Sequence, residues 1–192
     1  GKSIHSSMPW NGIDAIDGAR QCLIALNDLK LGIAEHASFG PATLTPTSIS
    51  SGPNATHTLQ NIVNMTFDRR LLPGEDVDAA FTCVQAALPK DGPWTVECFR
   101  GPFMYPNEIA DDGPLMALLD RAYRDTGLSG AERIDCSFAL DAGYFGHLGT
   151  EAVMLGPGDI DQFHSDEESV LIADLVEMAN IYHALTQRAL NG

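Results

Sequence analysis

The chain has 192 residues, of which 44% are hydrophobic, so it is long and apolar enough to form one large domain or two small ones. Its formal net charge is -15, from 26 acidic against 11 basic residues. Such a surface repels phosphate groups and no basic cluster interrupts it, which argues against nucleic acid and anionic membranes as partners.

The four cysteines are scattered singly along the chain, at Cys22, Cys83, Cys98 and Cys136. Without a paired short spacing they predict neither a disulfide framework nor a zinc knuckle, and they are typical of small core residues in a reducing compartment. The sequence shows no signal-peptide pattern and no apolar run long enough to cross a bilayer. We therefore expect a cytoplasmic protein.

The first half of the chain alternates between strand and helix patterns. Apolar spacing predicts an amphipathic helix over residues 13–30, and Asp76 is predicted to cap a second helix that runs to about residue 88. Strands are predicted at residues 1–5, 43–51, 62–71 and 94–99. The order strand, helix, strand, strand, helix, strand is that of a ferredoxin-like βαββαβ module, which we expect over residues 1–101.

The second half, residues 102–192, predicts a partial α/β layer. Helices are predicted at residues 113–125, 141–148 and 168–190, and a buried strand at residues 151–155. Ser165 and Glu168 form a capping-box pattern at the start of the last helix. This number of strands is too small to make a sheet covered on both faces. We therefore expect this half to be part of an α/β domain that has lost its first strands.

Motifs for nucleotide binding, serine hydrolysis and thiol redox chemistry are absent from the sequence. Of the six histidines, two stand where folds of this class place functional groups. His5 lies beside a predicted turn, and His164 follows a Gly-Pro-Gly turn ahead of a predicted helix. A metal site needs three or more protein ligands, and the chain supplies one convincing candidate, His164. The spacing alone indicates a two-module α/β protein with a candidate histidine site.

Three segments, in order and properly separated, carry a family resemblance. They are residues 1–9 (GKSIHSSMP), residues 68–75 (DRRLLPGE), and residues 156–158 (GPG) together with His164 and Glu167. The set resembles the zinc-dependent deacylase and peptidase family of acetylornithine deacetylase and succinyl-diaminopimelate desuccinylase. The first two segments are similar to that family's lid or dimerisation domain, and the third to the C-terminal signature of its catalytic domain.

The resemblance implies roles for particular residues. His164 corresponds to the family's last metal ligand, on one of two zinc ions. His5 corresponds to a lid histidine that reaches the partner subunit's active site and stabilises the oxyanion formed when metal-bound hydroxide attacks an amide. Arg70 corresponds to an arginine that pairs with a substrate carboxylate, a task suited to a planar, permanently charged group. Gly156 and Gly158 correspond to a turn that lets the backbone approach substrate closely.

Two of the substrate-binding positions leave alternatives open. At residue 57, thirteen positions before Arg70, the family has an asparagine in an Asn-x-x-Pro pattern that helps to hold the oxyanion. This chain has His57 there, which can also donate a hydrogen bond but puts the family's usual substrate geometry in doubt. From the residues alone, Arg70 is better explained as a surface ion pair with Asp68 or Glu75 than as a substrate ligand.

The family's other metal ligands and its general base lie in an N-terminal segment that does not occur in this sequence. The resemblance therefore implies a fragment, a lid at residues 1–101 and part of a catalytic domain at residues 102–192, expected to bind no metal and to be inactive alone. The complete enzyme would use zinc or cobalt to hydrolyse a small N-acyl amino acid or peptide. It would form a homodimer through the lid, whose edge strand would otherwise be exposed.

Two other classes of protein remain open. The first is a non-catalytic dimerisation or interaction module with the same lid fold. The second is an unrelated ligand-binding α/β protein, in which His5 and His164 would have no common destination in any assembly.

Overall fold

The computed structural model describes residues 1–128 and 130–191. The chain forms two compact units, Gly1–Pro106 and Asn107–Gly192, so the division falls slightly after the boundary at residue 101 that the sequence predicts. Helices combine with small antiparallel sheets, which confirms the α+β class. Within the described residues, no helix combines the length and the apolar character needed to cross a membrane.

The first unit consists of helices and short antiparallel sheets. Its helices are α1 (Ala15–Asn27) and α2 (Val77–Ala87), preceded by a short 3-10 helix at Pro9–Asn11. Strand β1 (Glu35–His36) pairs with β2 (Gly40–Pro41), and the longer β3 (Thr43–Gly52) pairs with β4 (Ile62–Arg70). The helices and the two long strands predicted here are confirmed.

Both helices of the first unit begin at an aspartate. The side chain of Asp14 accepts a hydrogen bond from the Ile16 N–H (2.9 Å), and that of Asp76 accepts one from the Ala79 N–H (2.8 Å). Each bond satisfies a backbone donor that the first helical turn leaves unpaired. Helix α1 then buries one face, made of Ala15, Ala19, Cys22 and Leu26. Burial raises the pKa of the Cys22 thiol, which suits a core residue.

The outer strands of the expected ferredoxin-like sheet are not observed. Residues 1–5 make only isolated bridges, and residues 94–99 belong to no strand. Side chains at 94, 96 and 98 are nevertheless half-buried, while those between them are exposed. Trp94 packs over Gly18 of α1, where an added Cβ would come within 2.8 Å of its ring. The alternating burial of residues 94–99 thus arises because one side of this segment packs against the rest of the unit. Such packing does not require a paired neighbouring strand.

The second unit is built around two packed helices. Helices α3 (Pro114–Thr126) and α5 (Ile172–Asn191) bury Tyr123, Met178 and Ile181 between them, with Leu128 and Leu155 packed against this cluster. The short α4 (Ala142–His147) lies where the sequence predicts it. The strand predicted at residues 151–155 is not formed, and the Ala152 carbonyl accepts instead from the Asn107 side chain (2.9 Å).

The capping box predicted for the last helix does not start it. The His164 N–H donates to the Glu168 carboxylate (3.0 Å), and the Glu167 N–H donates to Ser165 Oγ (3.3 Å). In a capping box, the serine would accept from residue 168 and Glu168 from residue 165. Both bonds are displaced by one residue and close a local turn, so helix α5 begins at Ile172, later than predicted.

A buried carboxylate, that of Glu75, holds the turn after β4. It accepts hydrogen bonds from the Leu72 N–H (2.7 Å) and the Ile33 N–H (3.3 Å), and it pairs with the Arg69 guanidinium. The Arg69 and Glu75 side chains are only 14% and 5% exposed. Removing one member of such a pair leaves an uncompensated buried charge, so the turn depends on both partners.

We predict that Glu75→Gln lowers the free energy of unfolding of the first unit by about 3 kcal/mol, because Arg69 would keep a buried charge without its partner. Urea unfolding followed by tryptophan fluorescence measures this, since Trp10 and Trp94 both lie in the first unit. The exposed Glu97 supplies the control, because Glu97→Gln should leave the midpoint unchanged. Equal midpoints for the two variants would contradict this account of the turn.

Candidate active site

Two segments from distant parts of the first unit run antiparallel beside each other. Segment 1–6 is joined to segment 57–61 by backbone hydrogen bonds of 2.8 Å from Gly1 N to Asn61 O, from Leu59 N to Ile4 O and from Ser6 N to His57 O. His5 and Thr58 form a bridge within this pairing. The lid histidine of the sequence prediction is therefore fixed against the loop that precedes β4.

This pairing brings His5 and His57 together. Their ring centroids are 6.2 Å apart and their planes are inclined by 15°, so the imidazoles are stacked on one exposed surface. Both residues are predicted site residues, but the sequence did not predict that they would be neighbours. The structure thus concentrates two imidazoles, each able to donate a hydrogen bond, at one place.

The hydrogen bonds of His5 determine which of its nitrogens can donate. The Ser7 N–H donates to Nδ1 of His5 (3.2 Å), and Ser7 Oγ lies 2.8 Å from the same atom. A nitrogen that accepts from an N–H carries no proton, so the neutral ring holds its proton on Nε2. His5 therefore presents an Nε2–H donor on the exposed surface.

Arg70 lies at the opposite end of the β3–β4 hairpin. In the ladder Ile62 is opposite Gly52 and Arg70 is opposite Thr43. At ~3.4 Å per residue, strand β4 separates Arg70 from the loop that carries His57 by roughly 27 Å. The Arg70 side chain is 55% exposed and forms an ion pair of 2.9 Å with Asp68. Within one copy of the chain, Arg70 and His57 do not meet in one pocket.

The remaining predicted site residues lie in the second unit. His164 is exposed and has a backbone φ of +62°, a left-handed conformation uncommon for a residue with a side chain. Gly158 has a φ of +113°, which only glycine adopts readily. An added Cβ at Gly156 would meet no atom within 4 Å, so the space beside this turn is open.

The described residues do not form a metal site by themselves. Across residues 1–128 and 130–191, no group of three or more histidine, cysteine, aspartate or glutamate side chains is placed to hold an ion. A zinc site requires three or four protein ligands, and His164 offers one. An imidazole suits zinc or cobalt, but the described residues supply only part of a ligand set, and His164 stays a predicted ligand.

A cleft of about 200 Å³ lies elsewhere in the first unit. It is lined by Arg69, Glu75 and Cys83 among others and contains none of the predicted site residues. Its charged groups are already engaged, because Arg69 is paired with Glu75 and the Asp76 carboxylate caps helix α2. The cleft therefore has little free charge with which to bind an ionic ligand. The histidine pair is the better candidate site.

Two residues that support the site were not predicted. Ser7, two positions after His5, orients that ring, and the buried Gln60 makes hydrogen bonds inside the loop that carries His57. The hydroxyl residue so close to His5 is a local signal that could have been recognised. Gln60 gave no signal, because polar residues in loops are usually exposed.

Comparisons with known proteins agree with this architecture. The family model of the peptidase dimerisation domain matches residues 1–96. An acetylornithine deacetylase of Myxococcus xanthus is 29% identical over 189 residues, which cover 92% of this chain and 47% of that protein. An acetylornithine deacetylase of Vibrio vulnificus is 28% identical, and the match covers 88% of this chain and 45% of that protein. The chain spans about half the length of the curated relatives that it matches.

Solved structures share the fold. The aminopeptidase PepT of Bacillus cereus superposes with a TM-score of 0.64 at 20% identity, covering 96% of this chain and 48% of that one. A tripeptidase of Staphylococcus aureus gives the same TM-score at 22% identity and the same coverage. The chain belongs to the peptidase family that carries this dimerisation domain. That family includes the acetylornithine deacetylases, whose sequences this chain resembles along most of its length.

We predict that in alkaline solution, where imidazoles are neutral, His5 carries its proton on Nε2, because Nδ1 accepts from Ser7. Long-range nitrogen–proton NMR spectra of the labelled chain distinguish the two tautomers. Ser7→Ala should preserve the tautomer, since the backbone N–H remains, and the exposed His183 of α5 supplies an unconstrained reference ring. A substantial population of Nδ1–H at His5 would refute the assignment.

Proposed function

We propose that this chain comprises the lid and the C-terminal catalytic part of a metal-dependent amidohydrolase. The reaction would be hydrolysis of the amide bond of a small N-acyl amino acid or of a short peptide. The family match and the deacetylase relatives support the class of reaction. The observation that carries the proposal is the exposed His5–His57 pair, whose first member presents an Nε2–H donor.

A donor pair of this kind suits the transition state of amide hydrolysis. When a nucleophile adds to the carbonyl, negative charge develops on its oxygen. A fixed hydrogen-bond donor at that point stabilises the charge without further reorganisation. His5 would supply the donor, with its ring already oriented by Ser7. His57 would supply a second donor in place of the asparagine of the related enzymes.

Arg70 would bind the carboxylate of the substrate from a different copy of the chain. Strand β4 keeps Arg70 too far from His57 for a small substrate to touch both within one subunit. In a homodimer, Arg70 of one subunit and the histidine pair of its partner would serve the same substrate. The Arg70–Asp68 pair is exposed and cheap to break, so substrate would compete for the guanidinium at little cost.

The sheet of the first unit offers a place for such a dimer to form. Within the described residues, β3 has a ladder partner on one side only. Its side chains are mostly exposed, and Ile49 is 61% exposed. An open strand edge invites pairing with another strand, which a second copy would supply. The match to a dimerisation domain supports the same assembly.

The metal would be zinc or cobalt, and bound metal would activate water for attack on the amide. His164, Gly156 and Gly158 would contribute one ligand and a close backbone turn on the catalytic side. Because the described residues do not complete a ligand set, the other ligands would come from the half that the relatives carry beyond this chain. The chain alone would therefore be inactive. Its cysteines and surface charge fit a cytoplasmic enzyme.

We expect His5→Ala to lower kcat about 10²–10³-fold in the protein that joins this chain to that other half, with KM little changed. The reason is that the oxyanion exists only in the transition state. Steady-state hydrolysis of a panel of N-acetyl amino acids by the zinc-loaded protein measures this. His57→Asn, which keeps a donor, should retain more activity than His57→Ala.

The exposed His183 of α5 provides the control, because His183→Ala should leave kcat unchanged. Unaltered kcat in His5→Ala would remove the histidine from the reaction. Absence of hydrolysis by the zinc-loaded wild-type protein would instead favour a non-catalytic dimerisation module.

A further inference from the structure

We propose that Gln60 is a positioning residue for the site, because it fixes the loop that holds His57 beside His5. The inference rests on the proposed function for its importance in catalysis, but its structural content stands on contacts within the first unit. Gln60 is a buried polar residue, only 8% exposed.

The side-chain amide of Gln60 uses both of its ends. Its Oε1 accepts from the Asn54 N–H (2.7 Å), and its Nε2 donates to the carbonyls of Thr58 (2.8 Å) and Ala55 (3.4 Å). These three partners surround His57 in the sequence. A single buried amide therefore closes the loop from its beginning to the residue that follows His57.

The main chain of Gln60 ties the same loop to helix α1. Its carbonyl accepts from the Ala15 N–H (3.0 Å) at the start of the helix. Residues 57, 59 and 61 of the same stretch bond to segment 1–6, through His57 O, Leu59 N and Asn61 O. The loop is thus held from inside by the glutamine side chain and from outside by the segment that carries His5.

The direction of the His57 ring depends on this support. His57 is exposed, and within the described residues its ring nitrogens have no hydrogen-bond partner, so the backbone of the loop and the stacked His5 ring determine its position. Without Gln60, the Asn54 N–H and the Thr58 carbonyl would lose their partner, and the Ala55 carbonyl would keep only the Thr58 N–H (3.1 Å). The loop would then rearrange to expose the unpaired groups to water.

Only an amide side chain satisfies this set of partners. A glutamate would still accept from Asn54 but would present a carboxylate to the Thr58 and Ala55 carbonyls, which are acceptors. An alanine would satisfy none of them. Alanine thus removes all three hydrogen bonds, and glutamate keeps one but opposes a buried negative charge to two carbonyl oxygens, so both variants remove the support of the loop.

The test uses NMR of the 192-residue chain, without substrate or metal. The His5 ring-proton shifts report the stacked His57 ring through its ring current, and His57→Ala defines the change expected when that ring is removed. Amide exchange at Ser6, which donates to His57 O, reports the pairing of the two segments. Gln85→Ala, at an exposed glutamine of α2, is the matched control.

Gln60→Ala is expected to shift the His5 ring protons as His57→Ala does and to accelerate exchange at Ser6 about tenfold. Gln60→Glu should shift them in the same direction at least as far, because its buried carboxylate would repel the Thr58 and Ala55 carbonyls. Gln85→Ala should shift neither signal. His5 shifts that stay at their wild-type values in Gln60→Ala would overturn the proposal, as would a His57→Ala variant that leaves them unmoved. If Gln60→Ala fails to fold, the Gln60→Glu result decides.

These readouts separate the inference from the proposed function. If the enzyme hydrolyses no amide, the His5 shifts still show whether Gln60 positions His57. If the shifts contradict the role of Gln60, hydrolysis and its dependence on His5 remain to be judged on their own.

Discussion

The candidate site depends on the antiparallel pairing of segment 1–6 with segment 57–61. Backbone hydrogen bonds at its ends and centre hold the two segments in one register, and that register places His5 against His57. Because side chains alternate along paired segments, a slip by one residue would turn one imidazole away from the other. Ser7 then fixes the His5 tautomer, so pairing and local hydrogen bonding together produce a directed donor.

The length of β4 imposes the second constraint. A strand is stiff, and the ladder with β3 fixes the His57 loop at one end and Arg70 at the other. Two groups that would recognise opposite ends of one small substrate are thus held apart within each subunit. The same hairpin has an open edge on β3, so the arrangement that separates these groups also provides a surface for a second copy. In the proposed dimer, this geometry would link dimerisation to substrate binding.

The sequence predicted those elements whose cause is local. Helices α1 and α2 follow from an aspartate cap and an apolar face, and both were found. The prediction of a strand at residues 94–99 was wrong. Alternating burial arises wherever one face of an extended segment is covered, whether or not a strand is paired beside it. The late start of α5 and the proximity of His5 to His57 depend on particular hydrogen bonds, which no periodicity encodes. The position of Arg70 relative to that pair follows from strand register, which became visible only in the fold.

The most direct test of a site shared between subunits is complementation in mixed dimers of the complete, zinc-loaded protein. His5→Ala and Arg70→Ala subunits, each expected to have strongly reduced activity alone, would be unfolded together, refolded at equal amounts and assayed. If His5 of one subunit serves the same substrate as Arg70 of the other, half of the dimers gain one intact site, and activity returns to about a quarter of the wild-type value. A mixture that contains heterodimers, as shown by mass spectrometry, but stays as inactive as its parents would contradict the shared site.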